Sequence, residues 1–356
     1  MLARWARAKF LGCLVATAVL VCAPQLQGQD VEQTRVPTHQ VTDVVRLGDT
    51  LWVLEGCGKT MHVFRSSDGG RNWSKTTVDV HLYRMFFLDG HHGWGLATSD
   101  SSKPTGVLLM RTDDGGLTWS RVSDVTDVST VQPAVLTDLL FVDSLHGLVI
   151  GQRGGGTGLV LQTSDGGASF RSIGRFAEGD LTRGLFGNDA KGVWVVGNEL
   201  MERTLDNGQS WRSGLPAVGM QNAYITAGTM RASGVGAVVG GRESGLILTT
   251  RDAGSVWRVD TVEDSYLRDV DFFDDNRACA LGSSHLYCTQ DGGESWTMVS
   301  RLPDLGARWG PQRFSRFVMT GPRRGWLVSD SGFLFETSDL GASWHAVDLL
   351  AGGSEK

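Results

Sequence analysis

From about residue 41 to residue 350 the apolar positions of the chain come in short runs separated by polar or glycine-rich turns, and the order of runs repeats. "LYRMFFLDGHHGWGLATSD" (82–100), "RGLFGNDAKGVWVVGNEL" (183–200) and "SRFVMTGPRRGWLVSDSGFLFETSD" (315–339) each hold an apolar strand, a polar turn, a second apolar strand centred on Gly-Trp or its equivalent, and a glycine-rich turn. A third strand such as "FLFET" follows, and "TWSRV", "SWTMV" or "SWHAV" supplies a fourth. Nearly unbroken apolar runs in the first two strands predict strands covered on both faces. Four strands per unit and seven units account for the whole stretch.

Each unit carries the same eight residues between its third and fourth strands. SSDGGRNW (66–73), TDDGGLTW (112–119), TSDGGASF (163–170), TLDNGQSW (204–211), TRDAGSVW (250–257), TQDGGESW (289–296) and TSDLGASW (337–344) share Ser/Thr, any, Asp, any, Gly, any, Ser/Thr/Asn, Trp. Val256 and Phe170 are the departures at the last two places. The aspartates, Asp68, Asp114, Asp165, Asp206, Asp252, Asp291 and Asp339, are 46, 51, 41, 46, 39 and 48 residues apart, the spacing of four-stranded propeller blades. The chemistry is that of a hairpin turn. The Asp is expected to accept backbone N–H groups two residues on, the Gly to supply a positive φ, and the Trp to lie across the hairpin. The eight residues resemble the Asp-box, or bacterial neuraminidase repeat. The resemblance implies an all-β, seven-bladed β-propeller of four-stranded antiparallel blades, with an Asp-box at each third–fourth strand turn.

Hairpin alternation then sorts the turns onto two faces. If the innermost strand runs from face one to face two, the second–third turns and the connections between blades lie on face one, and the Asp-boxes lie on face two. Nine positions before the residue that opens the second strand (Gly93, Gly192, Gly325 and, in blade six, Arg277) stand Arg84, Arg183, Arg316 and Arg268, with Asp138 in blade three. Arg153 in "GQRGGGTG" and Arg242 in "GGRESG" fall in second–third turns of the same face, and Arg301, Arg308 and Arg313 flank or occupy the connection into blade seven. Two readings stand: these arginines pair with carboxylates such as Asp138, Asp269 and Asp271, or they form a cationic funnel that takes carboxylates in bidentate fashion. "GGGTG" lacks the lysine and helix of a phosphate loop and reads as a blade turn.

The first 28 residues differ in kind. Arg4, Arg7 and Lys9 precede an apolar run from Phe10 to about Ala23, which reads as a signal peptide cleaved after Gly28. Lipidation at Cys22 and retention as an N-terminal anchor are the alternatives. Residues 29–40 read as a linker and 351–356 as a disordered tail, so a processed chain has no transmembrane span. It would carry 30 Lys and Arg against 39 Asp and Glu, a balance that disfavours nucleic acid. Cys279 and Cys288 fall opposite each other if Ser283-Ser284 is a two-residue hairpin loop, either as a disulfide or as two packed thiols. Cys57 has no evident partner. CxxC and HExxH patterns are absent, His91-His92 reads as a turn, and no metal or other cofactor is expected.

With its Gly-Trp second strands, "TSDGG" turns and leader, the chain resembles the photosystem II stability/assembly factor family over residues 41 to 349. That resemblance implies a non-catalytic, exported propeller, periplasmic, cell-surface or secreted, which holds a membrane-protein intermediate through a basic patch. Arg84, Arg183, Arg268 and Arg316 are the matching candidates, and an acidic or C-terminal peptide segment is the implied ligand. A glycan-binding propeller and a sialidase-type glycosidase are the alternatives. Against the latter, the Arg-Ile-Pro segment of sialidases is missing and the tyrosines Tyr83, Tyr224, Tyr266 and Tyr287 stand in apolar contexts.

Overall fold

The computed structural model describes residues 40–57, 60–98, 106–125, 135–153, 157–174, 184–187, 192–206, 208–214, 223–303 and 313–350. These form seven four-stranded antiparallel sheets, each built from four strands consecutive in the chain. Every innermost strand touches the innermost strand of the next sheet, and that of the seventh (Phe314–Met319) touches that of the first (Gln40–Leu47), which makes the array a closed ring of blades. Burial follows radial position. The second strands of blades four to seven are buried at every residue, whereas fourth strands such as Ser120–Asp124 and Thr297–Arg301 are largely exposed. The apolar runs mark strands sandwiched between two blades, as their unbroken pattern requires.

The boxes are locked more tightly than a plain Asp turn. The first residue of each, Ser66, Thr112, Thr163, Thr204, Thr250, Thr289 or Thr337, is buried. Its hydroxyl donates to the box Asp at 2.7–2.8 Å and accepts the N–H of the second glycine at 2.7–2.9 Å. The Asp accepts the N–H four residues on, rather than two, and in six boxes also a side-chain donor from that same residue at 2.5–2.7 Å. Val256 offers no such donor to Asp252. The longer reach arises because two consecutive residues take positive φ: 73° and 90° at Gly69 and Gly70, and 56° and 81° at Ala253 and Gly254.

The boxes also clasp neighbouring blades. In blades one, two, four and seven the residue that follows the one paired with the first box residue is a buried tryptophan on the second strand, Trp52, Trp94, Trp194 or Trp326. Each indole lies beneath the box of the next blade. Trp52 donates to Gly115 O at 2.8 Å and Trp94 to Gly166 O at 3.3 Å. A Cβ on Gly254 would stand 2.3 Å from Trp194, and one on Gly70 would stand 2.3 Å from Trp326. An arginine also lies over each ring: Arg65, Arg111 and Arg203, the cross-strand partners, at 5.9, 5.4 and 5.2 Å, and Arg324 over Trp326 at 5.9 Å. Blade six holds a disulfide at this same register position: Cys279 pairs with Cys288 across the strands flanking Ser283-Ser284. The cross-link therefore stands where other blades place an indole and its cation.

Among the described residues blade one meets blade seven through packed side chains and a backbone hydrogen bond, and each of the two sheets keeps its own four strands. Val41, Val44, Leu51, Val53 and Phe64 of blade one share a core with Val318, Trp326, Val328 and Leu334 of blade seven and with Leu349. Val41 N–H donates to Gly332 O at 3.0 Å. Arg46 reaches past blade seven to blade six, bonding Asp271 through Nη2 at 3.1 Å and Phe272 O at 2.8 Å, while Asp271 accepts Met319 N–H at 2.8 Å. One strut thus ties blades one, six and seven at the box-bearing end of the channel. At the same seam Glu55 is buried with Oε2 unbonded, and burial, then the nearby Asp348 charge, pushes its carboxyl up to about 7.

Candidate functional site

The two ends of the ring are chemically distinct. Box N–H groups bond the first–second turn of their own blade, as in Gly69 to Asp49 O, Gly115 to His91 O and Gly292 to Asn276 O. Face two is therefore a layer of interlocked turns. There His91-His92 sits in a turn held by Asp89, whose carboxylate takes both N–H groups at 2.7 Å. On face one the second–third turns meet the incoming connections: Leu302 N–H donates to Ser284 O and Asp330 N–H to Arg313 O.

Among the described residues six innermost strands carry a bulge near their face-one end, at Thr42, Tyr83, Thr137, Thr226, Arg268 and Ser315. A bulge frees one residue from the ladder and re-aims its side chain. In four blades that residue is hydroxylic and donates back to the second strand: Thr42 to Leu54 O, Thr137 to Ile150 O, Thr226 to Val239 O and Ser315 to Val328 O, at 2.9–3.5 Å. Tyr83 instead reaches the next blade, donating to Leu136 O at 3.2 Å, and burial pushes its phenol upward from the usual value. Arg268 is the remaining departure.

The residue after each bulge builds an ionic arc. By register these positions hold Asp269, Arg316, Asp43, Arg84 and Asp138 in blades six, seven, one, two and three, an alternation of charge around the channel. Asp43, wholly buried, accepts Arg84 Nη1 and Met85 N–H at 2.9 Å each and lies 3.7 Å from Arg316 Nε. Arg84 Nε donates to Thr137 O at 3.1 Å and lies 3.8 Å from Asp138. Asp269 accepts Phe317 N–H at 3.0 Å. Burial works against the Arg316 charge, but Asp43, Asp269, Asp138 and Asp271 outweigh it and hold the guanidinium above its ordinary value.

The sequence-derived arginines therefore divide. Arg84 is buried and satisfied internally, and Arg316 is embedded among four carboxylates. Arg268 does not occupy their slot, because Ala278 and not Arg277 opens the second strand of blade six; Asp269 stands there and Arg268 is the bulge. Its guanidinium rests 5.8 Å from the Tyr266 ring and 3.9 Å from Asp330, with side-chain exposure of 25%. It donates no hydrogen bond among the described residues, although it has five N–H donors. Arg242 and Arg313 are exposed on the same face. Arg183 and Arg308 lie outside the described residues, as does the side chain of Arg153. Asp43, Arg46 and Asp330 escaped sequence reasoning, since nothing in a linear alignment marks a contact across the channel.

Among the described residues no group of three His, Cys, Asp or Glu side chains is placed to hold a metal, and no helix is long and apolar enough to cross a membrane. The fold and this face define a seven-bladed propeller with an arc of alternating charge in its channel and, at one mouth, a guanidinium that donates no hydrogen bond among the described residues. No family model matches the chain. It is 25% identical to the photosystem II assembly lipoprotein Ycf48 of Synechococcus sp. (strain CC9902), over 247 residues that span 66%, just under two thirds, of each protein. Solved structures share the fold. "YCF48 bound to D1 peptide" is 17% identical, with a TM-score of 0.57 over 85% of this chain and 93% of that one. YCF48 from Cyanidioschyzon merolae is 16% identical, with a TM-score of 0.57 over 87% and 98%. The GH74 enzyme of Niastella koreensis, 11% identical with a TM-score of 0.53 over 89% and 60%, shares the architecture. The chain is a Ycf48-like seven-bladed β-propeller.

Proposed function

We propose that this protein is a non-catalytic, exported propeller that binds an acidic or carboxyl-terminal peptide segment of a protein partner at the face-one mouth, with Arg268 as the primary contact and Arg242 and Arg313 beside it. The observation that carries the reading is the departure of Arg268 from the hydroxylic bulge pattern. The repeat is its own control: four blades use that position to satisfy a carbonyl, while blade six presents a guanidinium with donors to spare. A planar fork of N–H donors suits bidentate capture of a carboxylate. Peptide binding by a YCF48 structure and the name lipoprotein borne by the curated relative support the partner class and export. Against catalysis, Tyr83 and Tyr287 are engaged through their phenol oxygens and both phenols are pushed upward, by burial foremost, which disfavours the phenolate a tyrosine nucleophile requires.

The test is fluorescence anisotropy of labelled acidic peptides with free carboxyl termini against the mature chain, with aryl glycosides run as a turnover control. Arg268→Ala should weaken capture about tenfold or more, an effect typical of losing a charge-assisted hydrogen-bond pair. Binding that is indifferent to Arg268→Ala and to Arg242→Ala, or measurable glycoside turnover, would retire the proposal.

A further inference from the structure

We infer that Asp330 is a resident competitor for the Arg268 site, an internal carboxylate that an incoming anion must displace. The inference rests on the proposed role of Arg268 and adds its regulation. Asp330 lies in the second–third turn of blade seven, and its Oδ2 stands 3.9 Å from Arg268 Nη1, beyond hydrogen-bond reach but within ionic contact. Its side chain is 46% exposed and makes no hydrogen bond among the described residues.

The turn beneath it is firmly held. Asp330 N–H donates to Arg313 O at 2.7 Å, Gly332 N–H to Ser329 O at 2.9 Å, Phe333 N–H to the Ser329 hydroxyl at 3.0 Å, and Val41 N–H of blade one to Gly332 O at 3.0 Å. A fixed backbone thus presents to the guanidinium a carboxylate in ionic contact with it, neither group hydrogen-bonded among the described residues. The pair is oriented but unbonded, the state expected of a contact made to be exchanged. Asp330 lowers the net charge that a ligand carboxylate meets, and it repels that carboxylate at short range. Its removal should therefore strengthen anion capture. If Asp330 merely positioned Arg268, its removal would weaken capture instead.

Asp330→Asn is the deciding variant, because it keeps the shape of the turn and removes only the charge. Anisotropy with the acidic peptide should show about three- to tenfold tighter binding and a steeper loss of affinity with added salt. Arg268 can also be read without any peptide. In the full chain, phenylglyoxal modification followed by peptide mass mapping should run faster at Arg268 in Asp330→Asn and be blocked by less sulfate, with Arg301 as the unchanged reference. If the wild-type chain captures no acidic peptide while sulfate protection still shifts, the proposed partner fails and the competitor stands. If Asp330→Asn leaves both the modification rate and the sulfate requirement unchanged, or weakens peptide binding, Asp330 is no competitor and the inference is overturned.

Discussion

Two adjacent glycines of one box give a sharp test of the clasp between blades. Gly69 and Gly70 both hold positive φ, 73° and 90°. A methyl group on Gly69 meets nothing nearer than Thr320 O at 3.7 Å, whereas one on Gly70 would sit 2.3 Å from Cζ2 and 2.8 Å from Cε2 of Trp326, which is 1% exposed. Gly69→Ala should therefore lose only the backbone term, about 1 kcal/mol. Gly70→Ala adds overpacking of about 1–3 kcal/mol against an indole that cannot move outward, for a total of about 2–4 kcal/mol. Other boxes have already made the first substitution: Ala253 and Leu340 stand at the place of Gly69 with φ of 56° and 64°, while all seven second glycines are retained. Equilibrium unfolding in urea followed by far-ultraviolet circular dichroism measures both variants, with the pair repeated in a Trp326→Phe background. The smaller ring should erase most of the difference, a non-additivity of about 1–3 kcal/mol. Equal costs for the two alanines, or a gap that survives Trp326→Phe, would refute the clasp.

Acid, a buried carboxyl and the disulfide supply three further tests. The box carboxyls of Asp68, Asp165, Asp206, Asp252, Asp291 and Asp339 are held below the usual range, chiefly by donors at the seventh box residue. Their stabilisation is complete above about pH 4 and is lost as pH falls through the lowered values, so an acid titration should show a steep multi-proton unfolding below pH 4. Glu55 behaves oppositely: its raised value, about 7, makes stability fall as pH rises from about 4.5 to 7, so Glu55→Gln should stabilise by up to about 3 kcal/mol at pH 8 and change little at pH 4 by urea unfolding. Replacing Cys279 and Cys288 with serine opens a loop of about ten residues and should cost about 2–3 kcal/mol. An unchanged urea midpoint would show that the cross-link is idle.

The architecture was legible because the box is a local motif with its own chemistry, repeated at a period only a blade explains. Ser66, Asp68 and Gly70 need no distant partner to declare their turn, and alternation of hairpins then places the boxes on one face and the arginines toward the other. Legibility stopped at bulges. Counting from Arg277 put Arg268 in line with Arg84 and Arg316, but the ladder starts at Ala278, and one bulged residue separates an arginine sealed into the channel wall from one offered at its mouth. The arc from Asp269 to Asp138 was equally hidden, since its members stand on five different blades, far apart along the chain and brought side by side only by the ring. The register match of Cys279–Cys288 with the tryptophan–arginine pairs likewise emerges only when blades are superposed strand by strand.

Because each described sheet is built from four strands consecutive in the chain, each blade is a complete cassette as soon as its last residue has been synthesised. Assembly can then proceed vectorially, every new cassette docking on the one before it. The final event is the meeting of blades one and seven, when Leu349 enters the shared core and Arg46 finds Asp271. Truncation just before Leu349 should accordingly leave the cassettes intact but the circle unfastened.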